Sequence, residues 1–200
     1  ANVKIEDGCN QFCSYCIIPY ARGPVRSRRE NDVVEEVRRL SQQGVKEIIL
    51  TGTHLGAYGS DQGNSKALTE LMRSLTELEE LKRVRLSSIE GTEIDREMID
   101  LIAEEDMFCP HLHLPLQSGS DLILKAMNRP YTAAEFKETV AELRERIPDL
   151  AVTTDVIVGF PGETEATFAE TMKVVEEIGF SKVHVFPYSA REGTPAAEMD

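Results

Sequence analysis

The sequence lacks the features of a membrane or secreted protein. It contains no apolar run of about eighteen residues, the length that crosses a bilayer as a helix. Its first residues, ANVKIEDGCN, have neither the basic segment nor the apolar segment of a secretory signal. We therefore expect a cytoplasmic protein that does not associate with a membrane.

Positive charge is also scarce. Lys and Arg number 22 against 35 Asp and Glu, which gives a formal net charge of −13 across 200 residues. Because phosphate contacts need clustered Lys and Arg, this balance argues against a general nucleic-acid binder, although another domain could hold an RNA substrate. The chain begins almost inside a motif and ends without a closing signal. We expect residues 1–200 to be a single domain excised from a longer protein.

Cysteine is scarce and unevenly placed. Only four are present, and Cys9, Cys13 and Cys16 fall within eight residues. Secreted disulfide frameworks are much denser in cysteine, so this arrangement fits a reduced, cytosolic protein. The isolated Cys109 precedes a proline, and we expect it to be buried and inert.

The rest of the chain alternates between strand and helix patterns. Apolar and β-branched runs predict six strands, at 2–5, 46–51, 83–88, 111–116, 152–160 and 182–188. Apolar residues at helical spacing predict five helices between them. Such alternation is typical of βαβ units around a parallel sheet and predicts the α/β class.

Capping residues predict several helix boundaries. Asn31 or Asp32 is expected to begin the first long helix, and Asp95 the third. Thr132 and Glu135 have the spacing of a capping box at the start of the fourth. The last helix is predicted to face the core with four apolar residues, namely Phe168, Met172, Val175 and Ile178.

Unusual polar sequence follows every predicted strand. Six segments rich in polar residues, glycine or proline lie at strand carboxyl ends: EDGCN, GTHLGAYG, SIEGTE, QSGSD, GFPGET and PYSAREG. The segments that precede the strands have less of this character. In parallel α/β sheets and barrels, active sites lie at those ends, where the loops converge. We therefore predict one functional face built from these loops.

The C-x3-C-x2-C spacing of Cys9, Cys13 and Cys16 indicates a metal site more readily than a disulfide with one free thiol. Structural zinc takes four ligands, so a zinc site would need Asp7 or His54 as the fourth. An iron–sulfur cluster suits closely spaced soft thiolates, which can reach several corners of a cube. Three cysteines would leave one iron open to bind another ligand.

The motif CNQFCSYC matches the cysteine signature of the radical S-adenosyl-L-methionine enzymes. Within that superfamily, the stretches EDGCNQFCSYCIIPYARGPVRSR, LTGTHLGAYG, HLHLPLQSGSD, TTDVIVGFPGET and HVFPYSAREGTPA together resemble the methylthiotransferases. The resemblance implies a partial (β/α)6 TIM-like barrel that holds a [4Fe-4S] cluster on Cys9, Cys13 and Cys16. It also implies that S-adenosyl-L-methionine binds the open iron and is cleaved to give a 5′-deoxyadenosyl radical.

The stretches TGTHLGAYG and VFPYSAREGTPAAEM are most similar to the branch that acts on N6-threonylcarbamoyladenosine. This resemblance implies that a methylthio group is added to C2 of that nucleoside at position 37 of tRNA. Branches that act on isopentenyladenosine in tRNA or on a ribosomal protein are the alternatives. The family also has an upstream cluster domain, a downstream RNA-binding domain and an electron donor such as a flavodoxin or ferredoxin. We expect tRNA to be bound mainly through those domains, which this sequence does not contain.

The resemblance also assigns cofactor contacts. Tyr15 would lie beside the adenine, Gly52 and Thr53 near the amino group of the methionine moiety, and Asp155 in the cavity. Loop packing explains Tyr15 equally well, and a tight turn explains Gly52. The remaining contacts would be Gln117 and Ser118 with the ribose or methionine, Ile157 against the adenine, and Gly159 through its backbone. A cap on the following helix, formed by Ser118 or Ser120, explains this stretch equally well.

Two non-enzymatic classes remain open: an iron–sulfur electron-transfer module with a fourth protein ligand, and a zinc-stabilised RNA-binding scaffold. His111 and His113 are expected to line the core or a cavity. One group of cations is concentrated in an otherwise acidic chain, namely Arg22, Arg26, Arg28 and Arg29. These arginines are expected on a solvated or ion-paired surface, or else facing the cofactor carboxylate or RNA phosphates.

Overall fold

The computed structural model describes residues 1–199. The strands are β1 (Asn2–Lys4), β2 (Glu6–Asp7), β3 (Arg26–Ser27), β4 (Glu47–Thr51), β5 (Arg83–Leu86), β6 (His111–His113), β7 (Ala151–Val158) and β8 (Lys182–Pro187). The helices are α1 (Ile18–Arg22), α2 (Glu30–Gln42), α3 (Ala67–Thr76), α4 (Arg96–Glu104), α5 (Asp121–Ala126), α6 (Ala133–Arg146) and α7 (Glu165–Ile178). Each of the six predicted strands and five predicted helices corresponds to one of these elements.

Parallel strands form the central layer, in two groups of three. One group has the order β1-β4-β5 and the other β6-β7-β8. The groups meet where Val84 of β5 bridges Phe108 and where the Ile89 N–H donates to the carbonyl of His113. The short strands β2 and β3 pair antiparallel with each other and form a separate two-stranded sheet. In residues 1–199 the layer does not close, and the predicted partial (β/α)6 barrel is confirmed.

Burial alternates along the strands because successive side chains point to opposite faces. On β7, Val152 and Val156 are buried, whereas Thr153 and Asp155 are half-buried. The buried set belongs to the same hydrophobic cluster as the inward residues of the helices, such as Leu71 of α3. Each fully buried side chain of this size contributes about 1.5–3 kcal/mol to folding. The apolar face therefore packs on the helices, and the more polar face lines the inside of the half-barrel.

Two of the predicted helix caps are present. The Asp95 carboxylate accepts from the backbone N–H of Met98 at 2.7 Å and begins α4. Thr132 and Glu135 form the capping box of α6, with the Thr132 hydroxyl accepting from the Glu135 N–H at 3.2 Å. The predicted start of α2 at Asn31 or Asp32 is wrong. That helix begins at Glu30, after an extended residue whose side chain forms no cap hydrogen bond.

The inward face of α7 also differs from the prediction. Met172 is 43% exposed, and the buried residues of the helix are Thr171, Val174 and Ile178. Thr171 faces inward because its hydroxyl accepts from the backbone N–H of Gly119 at 2.9 Å. This polar contact rotates the inward face by about one residue from the apolar pattern.

Short elements were missed, and several predicted strands run past their observed ends, such as the strand at 83–88, which ends at Leu86. The helices α1 and α5 have only five and six residues, too few to show a helical period in the sequence. The strand predicted to reach residue 116 ends at His113. Cys109 is half-buried, so the prediction that it is buried is wrong. None of the helices in residues 1–199 is both long enough and apolar enough to cross a membrane.

We expect Gly119→Ala to destabilise the protein by about 1–3 kcal/mol, the usual cost of overpacking. A Cβ at this position would lie 2.6 Å from the Thr171 Cα and 2.9 Å from the Val174 Cβ, and helix backbone cannot move aside. Urea unfolding measures the change. Gly91→Ala is the control, because its Cβ would meet only the side chain of Thr139, with the methyl at 3.1 Å, and no backbone. Equal stability of the two variants would contradict the close approach.

Candidate functional site

Loops from the carboxyl ends of the strands surround one cavity of about 270 Å³. Its wall contains the three clustered cysteines, Cys9, Cys13 and Cys16. Later loops and strands add polar and charged side chains to the wall, namely Thr53, His54, Glu90, Gln117, Arg129 and Asp155. Four of the six predicted loops therefore meet at this cavity, whereas GFPGET and PYSAREG add no residue to its wall, and the function of the face stays a prediction.

The cysteine loop is shaped by its own backbone contacts. Gly8 has a φ of 90°, and a Cβ there would collide with the carbonyl of Pro24. The Cys9 N–H donates to the carbonyl of Gly23 at 3.0 Å, and the Cys16 N–H donates to the carbonyl of Cys13 at 3.0 Å. All three thiols are free, and Cys13 is buried. The loop thus presents three free cysteines on the cavity wall.

The turn that follows α5 anchors this loop from the other half of the chain. The Ser14 hydroxyl donates to the carbonyl of Ala126 at 2.7 Å, and the Ser14 N–H donates to that of Met127 at 3.0 Å. The Asn128 amide donates to the carbonyl of Phe12 at 2.8 Å. Carbonyls at a helix C-terminus lack partners within the helix, so the cysteine loop satisfies them.

Tyr15 lies on the cavity wall, as the resemblance implies. Its ring meets Phe160 edge to face at a centroid distance of 6.5 Å, and Ile157 packs into the same small apolar cluster. Ile157 and Gly159 are outside the cavity wall. The Gly159 N–H instead donates to the Glu163 carboxylate at 2.5 Å. Contact of these residues with an adenine stays a prediction.

Thr53 lies on the wall, but Gly52 does not. Gly52 packs against the buried carboxylate of Glu6, with which any Cβ at position 52 would collide. This close approach, rather than a left-handed turn, explains the glycine. The Glu6 carboxylate accepts from the backbone N–H of His54, and burial raises the pKa of Glu6. Glu6 therefore fixes the loop that carries Thr53 and His54.

His54 connects the cysteine loop to the loop after β5. Its Nδ1 lies 3.5 Å from the Cys9 sulfur, and its Nε2 lies 2.5 Å from the Glu93 carboxylate. Burial alone would lower the pKa of His54, but the contacts with Cys9 and Glu93 outweigh it and raise the pKa to about 10. The sequence motif GTH marked this position, but not its partner Glu93.

Gln117 and Ser118 have different environments. Gln117 lies on the wall with a φ of 63°, unusual for a residue other than glycine. Hydrogen bonds with the backbone of Asp155 and Ile157, at 2.8 and 2.9 Å, hold it in this conformation. Ser118 is fully buried off the wall, and its hydroxyl contacts that of Thr171 at 3.2 Å. The structure therefore gives Ser118 a packing role and leaves it out of the cavity.

Asp155 points its carboxylate into the half-barrel, as strand alternation predicts. The carboxylate lies 3.2 Å from Nε2 of His113, whose Nδ1 contacts the Thr153 hydroxyl at 2.9 Å. The His111 ring also reaches that hydroxyl, at 3.1 Å. Both histidines therefore lie on the inner face of the strands, as expected.

Arg129 and Glu90 were missed in the sequence. The Arg129 side chain is 3% exposed and forms an ion pair with Glu90. It also donates to the Cys13 sulfur at 3.2 Å and to the Tyr131 hydroxyl at 2.9 and 3.0 Å. Nothing in the stretch KAMNRPY distinguishes this arginine from one on the surface, because its position depends on the fold.

Several basic side chains share one carboxylate beside the cavity. Lys4, Arg22 and Arg26 approach Asp7 at 2.8, 3.4 and 3.7 Å. The hydrogen bond with Lys4 is the largest effect that lowers the pKa of Asp7. Thr53 links this group to the cavity wall, since its hydroxyl donates to Asp7 at 3.1 Å. We call Lys4, Arg22 and Arg26 the cationic cluster. Together with the single carboxylate of Asp7, these three side chains carry a net positive charge.

The half-open parallel layer and the three free cysteines at its carboxyl edge define an α/β protein with a cysteine-lined cavity. Residues 3–175 match the family model described as the Radical SAM superfamily. The match covers well over half of the chain, and the protein belongs to this superfamily.

Curated relatives match the whole chain. It is 49% identical over 203 residues to "Threonylcarbamoyladenosine tRNA methylthiotransferase MtaB" of Bacillus subtilis (strain 168), with 100% of this chain and 44% of that protein covered. It is 48% identical over 198 residues to "tRNA-2-methylthio-N(6)-dimethylallyladenosine synthase" of Thermobifida fusca (strain YX), with 99% and 40% covered. The chain therefore spans less than half the length of these relatives.

Solved structures share the fold. The radical S-adenosylmethionine methyltransferase TsrM from Kitasatospora setae, solved with cobalamin and a [4Fe-4S] cluster, superposes with a TM-score of 0.79 at 21% identity. That match covers 98% of this chain and 35% of the other. Methylornithine synthase (PylB) gives a TM-score of 0.66 at 14% identity, covering 99% and 56%. At these identities the similarity shows the fold alone.

The residues present fit the cluster and cofactor that this superfamily uses, a [4Fe-4S] cluster and S-adenosyl-L-methionine. The three free thiols share one cavity wall, and in a cluster each thiolate would bind a different iron. In residues 1–199, no three side chains of His, Cys, Asp or Glu converge on one point where a single metal ion could bind. Asp7, one proposed fourth zinc ligand, lies outside the wall with the cationic cluster.

We expect Cys13→Ala to lose most of the iron that the chain retains after anaerobic reconstitution with iron and sulfide. One missing thiolate leaves a second iron without a protein ligand, which weakens the cluster. Iron and sulfide assays, with visible absorption, measure the loss. Cys109→Ala is the control, since Cys109 lies outside the cavity. If the two variants retain equal iron, Cys13 is not a ligand.

Proposed function

We propose that residues 1–200 are the radical SAM core domain of a longer tRNA methylthiotransferase that acts on N6-threonylcarbamoyladenosine at position 37. The observation that carries this proposal is the single cavity shared by Cys9, Cys13 and Cys16 with Tyr15 and Gln117. The relative named for this reaction aligns with the whole chain at 49% identity, which supports the choice of substrate.

In this proposal, different residues of the cavity wall hold the cluster and the S-adenosyl-L-methionine. When bound, the [4Fe-4S] cluster and S-adenosyl-L-methionine supply a carbon-centred radical that can remove hydrogen from an aromatic C–H bond. Cys9, Cys13 and Cys16 hold the cluster, while Gln117 and Asp155 offer polar groups to the nucleoside or methionine parts of the cofactor. Tyr15 and its apolar neighbours exclude water from that side of the cavity.

The proposed partners are tRNA and a one-electron donor of the flavodoxin or ferredoxin type. tRNA requires positive charge near the cavity, and the cationic cluster provides it in a chain whose formal net charge is −13. Further tRNA contacts come from domains outside residues 1–200. We place the reaction in the cytoplasm, where tRNA is available.

A second candidate substrate is dimethylallyladenosine, also called isopentenyladenosine, in tRNA. Two relatives named for that reaction are 45% and 48% identical over 99% of the chain, close to the identity of the first relative. Both reactions require the same cavity and the same cofactors. They differ in the group on N6 of the adenosine, which is polar and anionic in one case and apolar in the other.

The complete protein that contains this chain should convert N6-threonylcarbamoyladenosine in tRNA to its 2-methylthio form. Anaerobic incubation with S-adenosyl-L-methionine, a reductant and either modified tRNA, followed by mass spectrometry of the nucleosides, measures the reaction. The Cys13→Ala variant should give no product with either tRNA. Product from the dimethylallyladenosine tRNA alone would favour the second candidate, and no product from either would reject both.

Reversal of charge in the cationic cluster should weaken tRNA binding. We expect Arg22→Glu/Arg26→Glu in the complete protein to bind tRNA at least tenfold more weakly at low salt. Loss of two phosphate contacts should reduce the slope of log affinity against log salt by about 1.4, at about 0.7 per contact with a single strand. Fluorescence anisotropy measures both quantities.

The matched control reverses two charges elsewhere. Lys137 and Lys173 also share one carboxylate, that of Glu177, but they lie on α6 and α7. Lys137→Glu/Lys173→Glu therefore makes the same change in net charge away from the cavity mouth. If both double variants weaken binding equally, the effect is one of net charge and the cationic cluster has no specific role.

A further inference from the structure

The buried guanidinium of Arg129 is held in a fixed orientation. Glu90 pairs with it, and the Tyr131 hydroxyl accepts from two of its nitrogens, Nε at 3.0 Å and Nη2 at 2.9 Å. The Tyr131 hydroxyl in turn donates to the carbonyl of Pro115 at 2.7 Å. A buried arginine is costly unless its donors are satisfied, so these partners both stabilise and orient it.

The remaining nitrogen of Arg129 points at a cluster cysteine. Nη1 lies 3.2 Å from the sulfur of Cys13, a buried residue. Asn128, the residue before Arg129, binds the carbonyl of Phe12, the residue before Cys13, at 2.8 Å. Two adjacent contacts therefore fix the turn and the cysteine loop relative to each other, and the Arg129 donor is held at the sulfur.

We propose that Arg129 is a positioning residue that donates a charge-assisted hydrogen bond to the Cys13 thiolate and raises the reduction potential of the cluster. The inference rests on the proposed function only in that Cys13 ligates an iron–sulfur cluster. One-electron reduction by an external donor adds negative charge to the cluster and its sulfurs. A cationic donor stabilises that charge more in the reduced state than in the oxidised state.

Glu90 moderates this effect. Its carboxylate pairs with the guanidinium, keeps it oriented and offsets part of its charge. Removal of the Glu90 charge without loss of its shape should therefore raise the potential, in the direction opposite to the loss of Arg129. Opposite shifts from two residues in contact are a result that a purely structural role for Arg129 does not produce.

The test measures the midpoint potential of the reconstituted chain, without S-adenosyl-L-methionine or RNA, by a redox titration followed by electron paramagnetic resonance. At a fixed potential, Arg129→Gln should lower the ratio of reduced to oxidised cluster at least tenfold, which is about 59 mV for one electron. Arg129→Lys should lie between wild type and Arg129→Gln, because it keeps the charge but loses the fixed donor geometry. Glu90→Gln should shift the ratio upward.

The control is Arg146→Gln, which breaks an ion pair with Asp100 at 2.7 Å away from the cavity and should leave the potential unchanged. An unchanged potential in an iron-loaded Arg129→Gln variant would overturn the proposal. If that variant fails to retain iron, Arg129→Lys and Glu90→Gln decide, and the absence of opposite shifts overturns it. Because no substrate is present, the outcome does not depend on which nucleoside the protein modifies.

Discussion

The contact between the cysteine loop and the turn after α5 determines the geometry of the cavity. Ser14 and Ala126 are 112 residues apart in the chain, yet a hydrogen bond of 2.7 Å joins them. The turn offers carbonyls that α5 leaves without partners, and the loop offers donors that would otherwise be unsatisfied in a buried position. Because these hydrogen bonds satisfy polar groups on both segments, they fix the cysteine loop to the second half of the layer. The thiols therefore face the polar carboxyl ends of the strands in both halves.

Positive charge is concentrated around the cavity, although the chain as a whole is acidic. The protein is strongly acidic, yet the cavity has a buried arginine on its wall and the cationic cluster beside it. In the proposed function, thiolates, a cluster and tRNA meet at this cavity, and because all three are anionic they require positive charge nearby. The carboxylates of Asp7 and Glu90 keep these cations in place, which limits the cost of holding like charges close together.

The open layer suits the proposed substrate. The strands bury one face against the helices and leave the other face, with Thr153 and Asp155, only half-buried. A closed barrel of eight strands fills its interior with side chains, whereas an open half-barrel leaves a side through which a large substrate can reach the cavity. The strands thus fix the ends of the loops, and the loops carry the cysteines and Thr53 that line the cavity.

The sequence by itself determined the six parallel strands, the capping of α4 and α6, and the loop that carries the cysteines. These features depend on residues close together in the chain, where apolar period, cap spacing and cysteine spacing are directly visible. Only the tertiary structure decided that Thr171 rather than Met172 faces inward, that Ser118 is withdrawn from the cavity, and that Arg129 reaches Cys13. The physical reason is that each of these depends on the partner of a polar group, and in a folded chain that partner can lie more than a hundred residues away.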